Sequence, residues 1–259
     1  MSARSVVSAV PLSGLPEVRP GDDLGLLIAE ARRQPSSPPG ELEETDLLVV
    51  AHKVISKAEG RIRPLAGIEP GERACALAHE LGKDPRHVQA VLDESAAVLR
   101  AERGVMVCVT RHGFVCANAG VDASNVADPG AVVLLPRDPD GSARALRHRL
   151  RELTGVAPAI VVSDSFGRAW RHGQSEVAIG CAGLAPLDDW RGQRDSTGRE
   201  LRATWIAVAD QAAAAADLAR RKDSGEAVVL VRGLERHITV DDGPGAAALV
   251  RPEEQDLFR

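Results

Sequence analysis

Residues 160–180 read IVVSDSFGRAWRHGQSEVAIG, and the character of the chain changes abruptly within them. The run IVV is short, continuous and apolar, as is typical of a strand that is buried on both faces of a sheet. Acids, bases and hydroxyl groups follow it directly, before apolar residues return near Val177. Polar stretches of this kind occur both in solvated surface loops and at ligand sites, so this one taken alone favours neither.

Other apolar runs predict further strands around this one. Residues 47–50, LLVV, predict a second strand buried on both faces, and residues 227–233, AVVLVRG, predict a third. The segment 203–210, ATWIAVAD, is also predicted to be a strand. Residues 105–120 predict a β-hairpin, because the apolar stretches VMVCVT and FVCANAG are separated by a three-residue connection that ends in glycine.

Four segments show the apolar spacing of helices that pack one face against a core. They are residues 71–82, 86–103, 142–153 and 211–222. Gly82 is expected to end the first of these helices, because glycine adopts the left-handed backbone conformation of a C-cap. Ser142 is expected to cap the third helix at its N-terminus.

The predicted elements indicate an α+β fold class with an irregular mixed arrangement. The strands and helices do not alternate in regular β–α–β order, which is the pattern of a purely parallel sheet. No GxxxxGK[ST] motif is present, and no GxGxxG follows a strand, so we expect neither a P-loop nor a Rossmann fold. The GxSxG of serine hydrolases and the HExxH of zinc proteases are also missing.

Composition and charge exclude several classes of function. The 259 residues carry a net charge of −5 at pH 7, which does not favour binding to nucleic acid. No apolar run approaches the roughly 20 residues that a membrane-spanning helix needs, and the N-terminal sequence does not resemble a secretory signal. We therefore expect a cytoplasmic protein without a membrane partner. The four cysteines form no CxxC pair and three stand in apolar surroundings, which favours buried thiols over zinc ligands or disulfides.

Polar clusters follow three of the predicted strands. In chain order they comprise His52, Lys53, Ser56 and Lys57; Asn118, Asp122, Ser124 and Asn125; and Asp164, Ser165 and Arg168. The ends of strands in such sheets commonly bind ligands. If the clusters converge, Asp122, Asp164 and Ser165 offer the oxygen ligands that Mg²⁺ or Mn²⁺ prefers, and Lys57 can neutralise phosphate charge. The clusters are therefore compatible with metal-assisted phosphoryl transfer, but composition and spacing alone do not show that they converge, and separate solvated loops are the alternative.

Long strings of the sequence resemble the coenzyme F420-0:γ-glutamyl ligase family. They are VISKAEGR (54–61), GFVCANAGVDASNV (113–126) and VVSDSFGRAWRHGQSEVAIGCAGLAPLDDWRG (161–192). The segment LPRDPDGSARALR (135–147) and the D-x-x-G-x-x-L-x-x-T pattern of residues 195–204 are similar to the family as well. The resemblance covers roughly residues 12–235, which is most of the chain.

The resemblance implies a ligase that attaches L-glutamate to the carboxylate of the deazaflavin precursor F420-0 and then extends a γ-linked glutamate tail. It implies GTP as co-substrate, an acyl-phosphate intermediate, two divalent ions (Mg²⁺ or Mn²⁺) in each active site, and a monovalent ion such as K⁺. It also implies an intertwined homodimer. Two alternatives stay open: a nucleotide-binding module without turnover, and a related ligase that acts on a different acidic acceptor.

The resemblance also implies roles for individual residues. Asp122 and Asp164 are expected to bind the first metal ion and Ser165 the second, and both aspartates are expected, with Lys57, to be catalytic. The implied nucleotide contacts are Leu15, Pro16, Glu17, Val18, His52, Lys57 and Asn125. His52 departs from the small hydroxyl or amide residue that is usual in the family. The turn at 220–227 matches the family poorly and is left unassigned.

Cationic side chains close to Asp164 are expected to bind the anionic acceptor or glutamate. They are Arg168, Arg171 and His172. Arginine suits this role because its planar fork holds a phosphate or carboxylate with two hydrogen bonds. The alternative is that these side chains pair with nearby acids at positions 176, 188 and 189 and only hold the loop in place.

The same resemblance predicts the organisation of the chain. Residues 1–245 are expected to form the ligase domain, in one or two lobes. Residues 246–259 resemble the linker that leads, in two-domain actinobacterial homologues, to a flavin-reductase-like domain that these 259 residues do not include.

Overall fold

A computed structural model gives the structure of the chain, and it describes residues 6–34, 36–37, 40–124, 128–221 and 223–256. The strands in these residues are β1 (Ser8–Pro11), β2 (Leu47–Ala51), β3 (Ile62–Pro64), β4 (Ser95–Glu102), β5 (Val105–Thr110), β6 (Val115–Ala117), β7 (Ala131–Val133), β8 (Ala159–Arg168), β9 (Arg171–Ala182), β10 (Leu187–Asp189), β11 (Trp205–Ala207) and β12 (Val228–Arg232). The α-helices are α1 (Leu24–Arg32), α2 (His52–Ala58), α3 (Glu72–Leu81), α4 (Pro85–Glu94), α5 (Pro139–Thr154) and α6 (Val208–Ala219). This mixture of helices and strands confirms the predicted α+β class. No helix in this part of the chain combines the length and apolar character that a bilayer span requires.

The largest sheet has the strand order β1-β12-β2-β8-β9. Neighbouring strands in it run antiparallel, except that β2 and β8 are parallel and place Ala51 beside Ser163. Residues 47–50 are fully buried, as predicted. Their alternating side chains contribute to two different cores, because α1 and α5 pack on one face of the sheet and α6 packs on the other.

β8 and β9 form a long antiparallel hairpin that extends from this sheet. The polar stretch after residue 162 is therefore not a loop, because the strand continues through SDSFGR and pairs as far as Arg168 with Arg171. A register shift between Val162 and Ser163 marks an irregularity of the kind that re-aims side chains along a strand. The acidic and hydroxyl side chains of this stretch are thus held by a sheet.

Residues 65–134 contribute a separate hydrophobic core. In this region β4, β5 and β6 form a three-stranded sheet next to α3 and α4, and β7 pairs with β3, which directly precedes the region. The predicted hairpin of residues 105–120 is present as β5 and β6. The predicted C-cap is also confirmed, since Gly82 has a left-handed backbone with φ of 65°.

The helix predicted over residues 86–103 is wrong in its second half. α4 ends at Glu94, and residues 95–102 form β4, antiparallel to β5. The connection between them is Arg103-Gly104, whose φ values of 53° and 75° are those of the two-residue turns that favour hairpins. The helical spacing of Val98 and Leu99 is outweighed because strand preference depends on cross-strand packing.

Two further boundaries differ from the sequence prediction. The strand predicted over 203–210 covers only β11, and α6 begins at Val208. α5 begins three residues before Ser142 and is capped by Asp138, which accepts a hydrogen bond of 2.8 Å from the Gly141 N–H. The Ser142 hydroxyl donates to the Glu59 carboxylate instead.

Candidate active site

A cavity of about 880 Å³ opens at the edge of the sheet where β2 ends. Because β2 and β8 are parallel, their chains run toward the same edge, and α2 begins there directly after β2. Members of all three polar clusters predicted from the sequence meet in this cavity, although Ser56, Asn118 and Arg168 are not among the residues that line it. The predicted site residues that line it are Leu15, Pro16, Glu17, Val18, His52, Lys57, Asp122, Asp164 and Ser165.

Helix α2 presents two lysines to the cavity. Lys53 and Lys57 are four residues apart, so they lie on the same face of the helix. The Lys57 side chain is only 9% exposed, and its Nζ lies 2.5 Å from the Glu17 Oε1. This contact ties α2 to residues 15–18, the segment predicted to contact the nucleotide.

Asp164 lies on β8, and its carboxylate is next to His52 in the first turn of α2. Its Oδ1 accepts a hydrogen bond of 2.8 Å from the Ser165 N–H. The same oxygen lies 3.3 Å from the Nε2 of the buried His52, but this contact lacks hydrogen-bond geometry. On its other side the His52 ring lies 3.3 Å from the Ser56 Oγ. The histidine therefore packs beside Asp164 and fills space that a smaller residue would leave open.

Asp122 is the carboxylate that residues 65–134 contribute to the cavity. Its Oδ1 accepts the Ser124 N–H at 2.7 Å, and its Oδ2 accepts the Ser124 hydroxyl at 2.8 Å. The Nζ of Lys53 lies 2.6 Å from the same Oδ2. Burial raises the pKa of Asp122, but the hydrogen bonds from Lys53 and Ser124 outweigh it, so the pKa lies below the ordinary value of an aspartate. Asp122 is therefore ionised at neutral pH.

Ser165 contacts Glu176, which in turn pairs with Arg220, and sequence reasoning assigned neither of these two residues to the site. Its hydroxyl donates to the Oε1 of Glu176, which lies opposite it on β9. The Oε2 of Glu176 lies 3.1 Å from the Nη2 of Arg220. The Arg220 and Glu176 side chains are 8% and 4% exposed, so they form a buried ion pair in the wall of the cavity.

The charges that line the cavity are mostly negative. Among the described residues, six carboxylates and four lysines or arginines line it. Such a lining attracts cations and repels a bare polyphosphate. A nucleotide would therefore bind here more readily together with metal ions than alone.

The three cationic residues predicted to bind substrate lie elsewhere. Arg168, Arg171 and His172 are exposed near the end of the β8–β9 hairpin, beyond the residues that line the cavity. The Arg168 guanidinium donates to the backbone oxygens of His172 and Gly173, at 2.6 and 3.4 Å. The acids considered as structural partners for these residues form other ion pairs: Glu176 with Arg220, Asp188 with Arg236, and Asp189 with Arg191.

Two other segments complete the comparison with the sequence prediction. Asn125, predicted to contact the nucleotide, lies outside the described residues. The turn left unassigned does reach the site, since Arg220, Arg221, Asp223 and Glu226 line the cavity. The position of this turn in the sequence could have indicated its place at the site, because it directly precedes β12, the strand that pairs with β2.

The comparison with known protein families matches most of the chain. A family model described as F420-0:Gamma-glutamyl ligase matches residues 14–233. The chain belongs to this family of ligases. The match spans every cavity-lining residue named above and confirms the resemblance from which the site residues were predicted.

Individual members of the F420-0:gamma-glutamyl ligase family align with nearly the whole chain. A protein named coenzyme F420:L-glutamate ligase from Methanopyrus kandleri is 46% identical over 255 residues, which cover 98% of this chain and 97% of its own length. The protein of the same name from Methanothermobacter thermautotrophicus is 44% identical, covering 98% of this chain and 99% of its own. A third, from Archaeoglobus fulgidus, is 42% identical over 254 residues, covering 98% and 96%.

The donor groups of the cavity fit Mg²⁺ or Mn²⁺. Asp122, Asp164 and Ser165 offer carboxylate and hydroxyl oxygens, which are hard ligands, whereas no cysteine lines the cavity among the described residues. Mg²⁺ usually binds through one or two carboxylates and keeps water and phosphate oxygens as its other ligands. In the same part of the chain, no group of three or more His, Cys, Asp and Glu side chains is placed to hold a metal ion.

Proposed function

We propose that the protein is a GTP-dependent ligase that joins L-glutamate to coenzyme F420-0 and then extends the γ-linked glutamate tail. The observation that carries the proposal is the meeting of Asp122, Asp164 and Ser165 with Lys57 in one cavity, in a chain of the F420-0:gamma-glutamyl ligase family. L-glutamate and coenzyme F420 enter the proposal as substrates because the names of the relatives contain them. The cavity volume of about 880 Å³ is in the range of pockets that enclose such small molecules.

The reaction joins a carboxylate to an amine, and a carboxylate needs a leaving group before an amine can displace it. In the proposed mechanism, an acceptor carboxylate oxygen forms a bond to the γ-phosphorus of GTP while the bond to GDP breaks. The acyl phosphate that results is then attacked at its carbonyl carbon by the glutamate amine, which loses a proton, and phosphate leaves. Both steps bring anionic groups together, so positive charge is needed around the phosphates.

The residues of the cavity suit these requirements. Asp122 and Asp164 would hold the first of two divalent ions and Ser165 the second, with K⁺ as an additional monovalent ion. Mg²⁺ or Mn²⁺, when bound, supplies charge neutralisation at the phosphate oxygens. Lys57 offers a buried ammonium next to residues 15–18, where the nucleotide is proposed to bind together with His52 and Asn125.

The acceptor and glutamate are proposed to reach the hairpin end of the site. The side chains of Arg168, Arg171 and His172 are exposed there. Arg168 lies on β8 together with Asp164, and Arg171 and His172 lie on β9, which pairs with β8. This role for the cationic residues is supported by the nearby acids at positions 176, 188 and 189, which form ion pairs with other arginines. Arg171 is thus the side chain best suited to an incoming carboxylate or phosphate.

A homodimer belongs to the proposal, and an exposed apolar face supports it. Leu99, Val105 and Val115 are 43%, 41% and 43% exposed, on the face of the three-stranded sheet opposite the buried Met106 and Cys108. Apolar faces of this kind are commonly covered in oligomers. Symmetric dimers are the commonest soluble oligomers, so a second copy of the chain is the proposed partner.

Asp164→Asn tests the proposal, because it keeps the shape of the side chain and removes one negative charge. We expect the formation of glutamylated F420, measured by mass spectrometry with GTP, L-glutamate and Mn²⁺, to fall by about 10²-fold or more. The matched control is Asp189→Asn, the same change at an exposed aspartate outside the cavity, which should keep its activity. Near-normal turnover of the Asp164 variant at saturating Mn²⁺ would contradict the metal assignment. Equal kcat/KM for ATP and GTP would contradict the nucleotide assignment.

A further inference from the structure

Lys53 lines the cavity but has no role in the function proposed above. Its Nζ lies 2.6 Å from the Asp122 Oδ2 and donates a hydrogen bond of 2.7 Å to the Ser124 Oγ. Lys57, one helical turn further along α2, pairs with Glu17 instead. Of these two lysines, Lys53 is therefore the one whose charge lies against a carboxylate proposed to bind metal.

An ammonium and a divalent ion compete for the same carboxylate. The Asp122 Oδ1 already accepts the Ser124 N–H, and its Oδ2 accepts both the Ser124 hydroxyl and Lys53. A carboxylate has only about four lone-pair directions, so a metal ion on Oδ2 would lie beside the ammonium. Two positive charges at such a distance repel each other by about 1 kcal/mol or more. A metal ion on Oδ2 therefore favours the movement of one of the two cations.

Lys53 is the partner that can move. Its side chain has four rotatable methylene groups and is 20% exposed, whereas the Asp122 carboxylate is held by the backbone N–H of Ser124. Glu17 is already paired with Lys57, which lies on the same face of α2. A displaced Lys53 ammonium would therefore find its next anion inside the cavity, where phosphate groups are proposed to bind.

We propose that Lys53 is an exchangeable counter-ion: a divalent ion that binds Asp122 displaces the Lys53 ammonium, which then pairs with a phosphate oxygen of the nucleotide. The inference rests on the proposed function, because it takes Asp122 as a metal ligand. It assigns to Lys53 a positioning role, in which the ammonium holds the Asp122 carboxylate ready before the metal ion arrives. It also explains how the Asp122 carboxylate stays ordered in a cavity whose lining carries an excess of negative charge.

Mn²⁺ binding to the purified protein without nucleotide tests the exchange, with free Mn²⁺ measured by electron paramagnetic resonance. Lys53→Met removes the charge and keeps the length of the side chain. We expect Mn²⁺ to bind the variant about two- to fivefold more tightly, which is the strength of a partly exposed ion pair. Lys53→Arg is the matched control: it keeps a positive charge at the same position beside Asp122 and should alter Mn²⁺ affinity less than about twofold. Lys53→Gln removes the same charge and repeats the measurement if the methionine variant fails to fold.

Nucleotide affinity tests the second half of the exchange. At saturating Mn²⁺, we expect Lys53→Met to bind GTP about tenfold more weakly, because one charge-assisted contact to phosphate is lost. Tighter Mn²⁺ binding and weaker GTP binding in the same variant would support the proposal, since a purely structural lysine would not shift the two affinities in opposite directions. Unchanged GTP affinity would overturn the phosphate contact.

The remaining outcomes separate this inference from the proposed function. If the native chain binds Mn²⁺ and Asp122→Asn abolishes it, but Lys53→Met binds equally or more weakly, the exchange is wrong and the metal site stands. If the native chain binds no Mn²⁺ with or without GTP, the metal site and the exchange are both wrong.

Discussion

Replacing Arg220 by methionine probes the ion pair that forms the inner wall of the cavity. The Arg220 Nη2 lies 3.1 Å from the Glu176 Oε2, and the two side chains are almost fully buried. The substitution leaves the Glu176 carboxylate in a site nearly closed to water, with the Ser165 hydroxyl still bonded to its other oxygen. Removing one partner of a buried ion pair costs about 3–5 kcal/mol, because the remaining charge loses its compensation.

The expected size of the effect lies at the lower end of that range. Glu176 keeps its hydrogen bond from Ser165, and the adjoining cavity gives the carboxylate a route to water. We therefore expect the free energy of unfolding to fall by about 3 kcal/mol. For a chain of this size, each kcal/mol shifts Tm by about 2–4 °C, so Tm should fall by about 6–12 °C.

Urea and thermal unfolding followed by circular dichroism measure this change. Arg221→Met is the matched control, because Arg221 is the next residue, is 82% exposed and pairs with Asp223 at the surface. Its effect should stay within about 0.5 kcal/mol. The double variant Arg220→Met with Glu176→Met removes both charges and should recover part of the lost stability. Together with the single Glu176→Met variant it gives the coupling energy of the pair. An Arg220→Met protein as stable as the native chain would refute the reasoning from burial.

Three further predictions concern substrate binding, the thiols and assembly. Arg171→Ala should raise KM for F420-0 or glutamate and leave GTP affinity and Tm nearly unchanged; a loss of stability with unchanged KM would show that the arginine is structural. Burial raises the pKa of the Cys116 and Cys181 thiols to about 12, so at pH 8 both stay protonated and iodoacetamide should label the exposed Cys75 first. Rapid labelling of Cys116, detected by mass spectrometry of the native protein, would contradict this. Light scattering at micromolar concentration should give the mass of two chains, and the mass of one chain would end the dimer proposal.

The central strands could be predicted from the sequence because their signal is local. Residues 47–50 and 160–162 are continuous apolar runs, and a strand buried on both faces needs little else. β4 could not be predicted in this way, because its residues have helical spacing and become a strand only by pairing with β5. Its one local signal is Arg103-Gly104, a turn whose glycine readily takes positive φ.

The site was predictable to a similar extent and for a similar reason. Asp122, Asp164 and Lys57 each follow an apolar run, which made their meeting predictable, and the structure brings them into one cavity. The strand end predicted at Asp164 is wrong, because β8 continues to Arg168. Glu176 and Arg220 were missed because they are 44 positions apart in the sequence and meet only through the packing of α6 and β9. The pairing of Lys53 with Asp122 was missed for the same reason, because a contact between residues that are distant in the sequence leaves no local pattern.

The parallel pairing of β2 with β8 joins parts of the chain that are separated by about 110 residues, and closing so long a loop has an entropic cost that local contacts cannot offset. Asp122 lies within that loop and Asp164 lies just beyond its end, so the two residues line one cavity only after the loop has closed. Structures that depend on such distant contacts form slowly. We therefore expect the cavity to form late in folding, because a chain that ends before β8 lacks Asp164 and the strand that carries it. Any ligand that bridges the two aspartates fastens this long loop and so stabilises the whole molecule against unfolding.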